Sequence, residues 1–379
     1  MSGNTTKSIS INSNHSPEQS EEQELSSESL EPPQSWRSNT ATLKIALLVN
    51  LARNAPPVHR NAPSDILAEL DEDKNVDAYA AAMRARNYEV LIREGNGHLA
   101  GWLEKVQPDI CFNTCEGFGG ESREAQVPAI LEMLGIPYTG PTPLAAAITH
   151  DKPTTQRILA CHGLLVPRFQ AFNTPNDVLR PDMVFPLFIK PAHEGTGIGI
   201  HNDSIARNEA QLRNKVAQVV ADYQQPAMVE TYIEGKDITC GLTGNGDDVH
   251  FYPITEVDFS GYPHELEPIY GVEQKVDYES YYRNKCPAPL GEALTAEIRR
   301  LTHEVFLVTG CRDFARVDFR LTESGQPYIL EINGLPGITP FSDLTLMAQA
   351  EGLTHADLVC NVLDAALKRY GITKLGLRS

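Results

Sequence analysis

The hydrophobic positions of this 379-residue chain first become regular at residues 43–49, where LKIALLV forms a short apolar run. Such a run predicts a buried strand. Residues 65–90 are rich in alanine and carry apolar positions at helical spacing, which predicts a helix. Residues 109–113 predict a second strand, and a glycine-rich loop, a helix and a turn follow at 116–143. This alternation predicts a parallel sheet with helices packed on it.

Beyond residue 148 the pattern changes to strands separated by short polar turns. Asp151 is placed to cap a helix that ends at Gly163. Residues 226–257 alternate apolar runs with Gly, Asp and Asn turns, which predicts antiparallel pairing. The other predicted elements are a strand ending at Lys190, a helix near 205–222, a helix at about 290–309, strands at 314–321 and 328–332, and a final helix at 355–371.

These changes of pattern predict an α/β (α+β) protein with a tail and three folded parts. The parts are a tail at 1–41, an N-terminal α/β domain at 42–148, a central subdomain at 149–240 and a C-terminal subdomain at 241–379. The tail is rich in Ser, Glu, Asn, Gln and Pro and has no apolar run, so we expect it to be disordered and not a secretion signal. A partner-binding arm is the alternative.

The composition and net charge make some kinds of binding partner unfavourable. The formal net charge is -18, which disfavours non-specific binding to nucleic acid and to anionic membranes because both carry the same sign. No window reaches the roughly eighteen consecutive apolar residues that a membrane span needs. The seven cysteines are scattered and lack paired C-x-x-C spacing, so we expect a cytoplasmic protein with neither disulfides nor a zinc site.

Two adjacent predicted strands carry acidic and amide side chains in alternation with apolar ones. The period of two places Arg316 and Asp318 on one face of the first strand, and Glu331 and Asn333 on one face of the second. If the turn at 324–325 makes the strands neighbours, all four side chains share one face. Magnesium is usually held by one or two carboxylates together with substrate phosphates, so the group is a candidate metal site. A solvated strand face is the alternative.

A second group of residues has the chemistry of phosphate binding. The glycine-rich loop at 193–200 follows a strand that ends at Lys190. Glycines let backbone N–H groups approach phosphate oxygens, and a lysine supplies opposing charge. The loop matches neither the P-loop nor the Rossmann fingerprint, and a glycine-rich hairpin tip is the alternative. Lys152, Glu230 and Asp237 are further candidates for nucleotide contacts, each with a solvated surface residue as its alternative.

Taken in order, these segments resemble the ATP-grasp superfamily and, more narrowly, the D-alanine:D-alanine ligase family. The resemblance covers about residues 108 to 365. The matching segments are EMLGIPYTGPTPLAAAITHDK, FPLFIKPAHEGTGIGI, MVETYIEGKDIT, KVDYESYYRNKCPAPL, CRDFARVDFRL and YILEINGLPGITPFSDL. The resemblance implies a three-domain ATP-grasp architecture, in which two antiparallel-sheet subdomains enclose ATP. It also implies two Mg²⁺ (or Mn²⁺) ions and chemistry through an acyl phosphate.

The resemblance also implies roles for residues on the nucleotide side. Lys152 and Lys190 resemble the family's phosphate-binding lysines. Glu230 and Asp237 resemble its adenine and ribose contacts. The metal ligands that the resemblance implies are Asp318, Glu331 and Asn333.

On the substrate side the resemblance implies a second set of roles. Arg316 matches the arginine that steadies the transferring phosphoryl group and the tetrahedral intermediate. Gly337 matches a glycine whose backbone N–H binds the oxyanion, and Ser342 matches a contact to the carboxylate of the second substrate. Thr196 and Tyr282 match a serine and a tyrosine of the substrate-side hydrogen-bond network.

Departures from the family pattern concentrate on substrate contacts. The family's glutamate that binds the ammonium of the first amino acid has no clear counterpart, and Asp65 and Glu69 are the nearest candidates. Tyr281 replaces a common lysine. Asp343, a second candidate substrate contact, occupies a position that is often apolar, where its charge should repel an α-carboxylate.

Three hypotheses follow. The first is a D-alanine:D-alanine ligase of peptidoglycan precursor synthesis, which joins two D-amino acids with ATP. The second is a ligase of the same fold that joins an amino acid to a different carboxyl-type acceptor, as in mycosporine-like natural products. The third is a non-catalytic nucleotide-binding regulator. Amino acids, as small-molecule substrates, are the expected partners. The family suggests a homodimer, and residues 275–285 are expected to close over the substrate.

Overall fold

The computed structural model of the protein describes residues 42–60, 62–263, 266–271 and 283–373. The tail at 1–41 lies outside the described residues, as do Tyr281 and Tyr282 and most of the expected lid. Within the described ranges the strands form three sheets. In the same ranges, none of the helices combines the length and the hydrophobicity that a membrane span requires.

The first sheet is parallel, as the sequence predicts. Its strand order is β2-β1-β3, and both β2 and β3 pair in parallel with the central β1. Buried side chains of β1 pack between the flanking helices. The elements of this part are β1 (Lys44–Val49), α1 (Asp73–Ala85), β2 (Glu89–Glu94), α2 (Leu99–Val106), β3 (Ile110–Asn113) and α3 (Gln126–Met133).

The prediction of one helix over 65–90 is wrong at both of its ends. Residues 65–70 form turns, and α1 begins only at Asp73. At the other end Asn87 takes a left-handed φ of 59°, which an α-helix cannot contain, so the chain leaves the helix there. The following segment EVLIRE then bonds to the exposed edge of β1 as β2.

The second sheet is antiparallel, with strand order β4-β7-β5-β6 and α6 packed on one face. The cap predicted for the preceding helix is confirmed, because Asp151 accepts a hydrogen bond of 2.7 Å from the backbone N–H of Thr154. The elements are α4 (Pro143–His150), α5 (Lys152–Cys161), β4 (Phe169–Phe172), β5 (Leu187–Pro191), β6 (Ile205–Ala206), α6 (Glu209–Tyr223) and β7 (Ala227–Thr231).

The third sheet is the largest and carries the predicted acidic hairpin. Its order is β11-β10-β8-β12-β13, β9 pairs with β8, and all pairs are antiparallel, as predicted. Its elements are β8 (Lys236–Asn245), β9 (Asp248–Phe251), β10 (Thr255–Asp258), β11 (Arg283–Lys285), α7 (Glu292–Thr309), β12 (Asp313–Leu321), β13 (Pro327–Asn333), α8 (Asp343–Ala350) and α9 (His355–Arg369).

Packing between distant segments fixes the hairpin relative to the first sheet. Helix α9 lies against α1, and Val359 and Leu363 share one buried core with Val76 and Met83. Burial of each such side chain contributes about 1.5 to 3 kcal/mol. On the other face of the third sheet, α7 covers the apolar residues of β12 and β13. The polar face of the hairpin is therefore held in a defined position.

Candidate active site

The polar face of the β12–β13 hairpin brings together the four side chains predicted from alternation. In the strand register Arg316 lies opposite Asn333, and Asp318 lies opposite Glu331. Val317, whose side chain points the other way, is fully buried beneath α7. The predicted pairing is confirmed. The metal-binding role of these residues stays a prediction.

Hydrogen bonds orient the hairpin side chains. Arg316 donates from Nη2 to Asp318 Oδ2 at 2.9 Å, and Asn333 donates from Nδ2 to the same oxygen at 3.0 Å. Arg316 Nη1 also lies 3.5 Å from Asp343 Oδ2. Burial raises the pKa of Asp318 above its ordinary value, although Arg316 opposes the shift. The guanidinium is therefore shared between two carboxylates.

Two lysines from separate elements form ion pairs with acids near the hairpin, one with Glu331 and the other with Glu230. Lys152, the first residue of α5, has its Nζ 3.5 Å from Glu331 Oε2 and donates to the backbone oxygen of Glu194. Lys190, on β5, has its Nζ 3.1 Å from Glu230 Oε1. Burial alone would raise the pKa of Glu331, but Lys152 and Lys190, together with Arg316, lower it to about 2. Glu331 is thus held as a carboxylate.

The donor set of the hairpin fits an open magnesium site. Among the residues that the structure describes, no three His, Cys, Asp or Glu side chains are grouped as a metal-binding cluster. The hairpin offers two carboxylates, from Asp318 and Glu331, and the amide oxygen of Asn333. Oxygen donors in an incomplete shell suit Mg²⁺, which keeps waters and substrate phosphates among its ligands.

A cavity that is open to solvent lies between the second and third sheets, next to this hairpin. Clefts between packed elements are common sites of ligand binding. Lys190, Glu230, Asp237 and Arg316 all line it. Glu230 is buried, and its Oε2 has no hydrogen-bond partner within the described ranges. A buried acceptor of this kind suits the amino group of an adenine ring.

Asp237 has a partner already. Arg320 donates from Nη1 to Asp237 Oδ1 at 2.6 Å, and its other nitrogens donate to Tyr232 Oη and to backbone oxygens. Asp237 lines the cavity, but its charge is neutralised by this arginine. The predicted ribose contact stays a prediction. A ribose hydroxyl would bind the oxygen of Asp237 that Arg320 leaves open.

A second cavity, also open to solvent, lies on the other side of Arg316 and is called the substrate cavity below. Five of the residues predicted for substrate chemistry line it: Thr196, Arg316, Gly337, Ser342 and Asp343. Thr196 has a left-handed φ of 53°, and the loop that carries it packs so closely on Glu69 that a side chain at Gly195 would overlap with it. Ser342 donates to the backbone oxygen of Thr339 at 3.1 Å.

Comparisons with known proteins agree with this geometry. A family model described as the D-ala D-ala ligase C-terminus matches residues 158–364. A D-alanine–D-alanine ligase of Cupriavidus metallidurans is 37% identical over 304 residues, which cover 73% of this chain and 88% of the relative. The chain belongs to the D-alanine–D-alanine ligase family. The predicted membership is confirmed.

Further relatives show the breadth of the D-alanine–D-alanine ligase family. Uncharacterized protein y4sG of Sinorhizobium fredii is 35% identical over 302 residues, covering 78% of this chain and 88% of that protein. The crystal structure of a D-alanine–D-alanine ligase from Bacillus anthracis complexed with ATP superposes with a TM-score of 0.66 at 21% identity. The superposition covers 87% of this chain and 99% of that structure, and it confirms the predicted ATP-grasp fold.

Asp65 and Glu69 are the two candidates for the acid that binds the ammonium of the first amino acid, and they lie in different surroundings. Asp65 accepts hydrogen bonds from Gly199 N at 2.9 Å and from Tyr223 Oη at 3.1 Å, and it does not line the substrate cavity. The Asp65 side chain anchors the glycine-rich loop, and its assignment to the ammonium of the first amino acid stays a prediction. Glu69 does line the cavity, where it forms an ion pair with Arg123.

The residues around Arg123 were not predicted from the sequence. This half-buried arginine contacts Glu69, Glu194 Oε2 at 3.1 Å and His150 Nε2 at 3.0 Å. It also donates to the backbone oxygen of His193 at 2.8 Å, and so ties the glycine-rich loop to α4. The acids Asp71 and Glu116 of the substrate cavity were missed as well. A local signal existed in the segment CEGFGGESRE, whose charges follow a buried strand.

Proposed function

We propose that the chain is an ATP-dependent ligase that joins a carboxylate to an amine through an acyl phosphate. The observation that carries the proposal is the pair of facing carboxylates, Asp318 and Glu331, beside two buried lysines and a cavity between two sheets. Carboxylate oxygens are ligands that Mg²⁺ prefers, and lysines supply charge that opposes phosphates. The names of the relatives make D-alanine the first substrate to test in both positions.

In the first step the substrate carboxylate attacks the γ-phosphorus of ATP, and ADP leaves. The step is needed because a free carboxylate has no acceptable leaving group. Lys152 and Lys190 are placed to bind the phosphates, and Asp318, Glu331 and Asn333 would hold two Mg²⁺ (or Mn²⁺) ions. Bound Mg²⁺ supplies neutralisation of the developing phosphate charge.

In the second step the amine attacks the acyl carbon, and phosphate leaves and takes up the proton that the amine nitrogen loses. The oxygen of the tetrahedral intermediate carries the negative charge. Arg316 and the backbone N–H of Gly337 border the same cavity and are the donors proposed to bind it. Loss of one such donor typically lowers the rate by about 10²- to 10³-fold. Thr196 and Ser342 are proposed to position the substrates, and Asp343 to select the second one.

A second candidate is the same reaction with a different amino-acid or carboxyl-type partner, as in natural-product assembly. Asp343 favours it. This acid lies beside Ser342 and 3.5 Å from Arg316, where the resemblance expects the carboxylate of the second amino acid. Peptidoglycan synthesis, a cytoplasmic location, the homodimer and the absence of nucleic-acid partners stay predictions.

Phosphate release with ATP and Mg²⁺, measured across D- and L-amino acids, tests the reaction class. Mass spectrometry of the products identifies the amide. We expect turnover in the wild type and in Glu323→Gln, an exposed control in the β12–β13 turn, and none in folded Glu331→Gln. Near-normal turnover by Glu331→Gln would remove the metal assignment. Nucleotide binding without turnover of any substrate pair would favour the regulator hypothesis.

A further inference from the structure

Resting on the proposed ligase function, we infer that the amine substrate carries a second positive charge, as a diamine or a basic amino acid does. The inference starts from the charges that line the substrate cavity. Five carboxylates border it and, among the described residues, Arg316 is the one basic side chain there. The five acids are Glu69, Asp71, Glu72, Glu116 and Asp343.

Two of these carboxylates are neutralised from outside the cavity. Glu69 forms its ion pair with Arg123, and the exposed Glu72 lies 2.7 Å from Lys74 Nζ. The remaining three are Asp71, Glu116 and Asp343. Of these, Asp343 forms an ion pair with Arg316, which Asp318 also contacts. The part of the cavity lining that the structure describes therefore carries more acids than bases.

Asp71 and Glu116 form no ion pair with any residue that the structure describes, although the charge of Arg123 opposes the rise in the pKa of Glu116. Asp71 accepts hydrogen bonds from two neutral hydroxyls, Thr114 Oγ1 at 2.8 Å and Tyr79 Oη at 3.4 Å. Burial raises its pKa to about 6. The Glu116 side chain accepts no hydrogen bond within the described parts of the chain, and burial together with the charge of Glu124 raises its pKa well above the ordinary value. Both carboxylates would be stabilised by a bound cation.

One ammonium group does not account for this charge. The resemblance to the ligase family assigns a single carboxylate to the ammonium of the first amino acid. Even if that carboxylate is Asp71 or Glu116, the other member of the pair is not assigned to a substrate charge. Asp343 is not assigned to one either. Asp343 lies next to Ser342, on the side of the second substrate.

Asp343 is the residue that we assign to amine selection. An α-carboxylate bound near Ser342 would meet the carboxylate of Asp343 and an arginine whose charge is already engaged. An ammonium or guanidinium group in the same place would be attracted by Asp343. The position therefore discriminates against D-alanine and in favour of a cationic amine.

The experiment is a matrix of amines against a fixed set of D- and L-amino acids as acyl donors, with phosphate release and product mass as readouts. The amines are D-alanine, D-serine and β-alanine on one side, and putrescine, D- and L-lysine and D- and L-arginine on the other. We expect kcat/KM at least tenfold higher for the cationic amines. A neutral amine that is used equally well overturns the inference but leaves the ligase reaction in place. If none of the amines supports phosphate release and product formation, both the ligase reaction and the inference are overturned.

The Asp343→Asn variant tests whether Asp343 determines the selectivity for the amine substrate. We expect KM for the cationic amine to rise tenfold or more, KM for D-alanine to fall, and kcat to change little. A loss of kcat with every amine and no change in selectivity would show that Asp343 merely positions Arg316, and it would overturn the assignment. Asp247→Asn, an exposed acid in the β8–β9 turn, is the matched control.

Discussion

The nucleotide side and the substrate side of the site differ in how their acids are balanced. On the nucleotide side each acid meets a base: Asp318 meets Arg316, Glu331 meets Lys152, Glu230 meets Lys190, and Asp237 meets Arg320. On the substrate side Asp71 and Glu116 form no ion pair with the residues that the structure describes. The balanced half is suited to a ligand that brings its own cations, as a nucleotide with magnesium does. The unbalanced half is suited to a substrate that is itself positive.

Among the variants that test this contrast, the largest effect is expected where the two halves meet, at Arg316. Arg316→Lys keeps the positive charge opposite Asp318 but loses the planar fork that serves both cavities. We expect kcat for phosphate release to fall by about 10²- to 10³-fold. Arg300→Lys, on the exposed face of α7, is the matched control. Unchanged kcat in Arg316→Lys would mean that the arginine does not link the two cavities in the reaction.

Asp71→Asn tests whether the substrate side lacks positive charge in the free protein. Burial raises the pKa of Asp71 from 3.8 to about 6 in the folded state. The carboxyl therefore favours folding most below pH 3.8 and loses that contribution as the pH rises to about 6. A shift of about two pKa units corresponds to about 3 kcal/mol.

We therefore expect Asp71→Asn to raise the free energy of unfolding at pH 7 by up to about 3 kcal/mol. The dependence of stability on pH between 4 and 6 should also become flatter. Urea unfolding at several pH values, with Asp247→Asn as the control, measures both. If the variant is less stable than the wild type at pH 7, we would infer that a cation lies beside Asp71 in the free protein. That result would contradict the contrast between the two halves.

Glu230→Gln tests the nucleotide side alone. The unpaired Oε2 of Glu230 is the proposed acceptor for the adenine amino group, and glutamine presents either an oxygen or a donor nitrogen there. We expect KM for ATP to rise about tenfold, because one hydrogen bond contributes about 1 to 1.5 kcal/mol. The selectivity among amines should not change. Glu323→Gln should leave KM for ATP as it is. A change in amine selectivity would show that the two cavities are not independent.

The nucleotide side could be predicted from sequence because its determinants are local. Arg316, Asp318, Glu331 and Asn333 lie on two strands joined by a short turn, and a period of two fixes their common face. Lys190 ends a strand whose apolar run is visible in the sequence. The family resemblance then supplied roles for these positions.

The substrate side could not be predicted in the same way because distant segments build it. Asp71 precedes α1, Glu116 follows β3, and Arg123 reaches the glycine-rich loop from beyond both. None of these residues belongs to a periodic pattern. Strand β2 was missed for a related reason, because it follows an alanine-rich helix directly and is defined by its pairing with β1.

The central claim is that the β12–β13 hairpin holds divalent cations against the phosphates of a nucleotide. Crystals of the full chain grown with Mn²⁺ and ADP test it most directly, since Mn²⁺ is located by its anomalous scattering. We expect an anomalous peak within about 2.5 Å of carboxylate oxygens of Asp318 and Glu331, with the adenine beside Glu230. Ordered ADP with its phosphates away from this hairpin, or Mn²⁺ bound elsewhere, would contradict the claim.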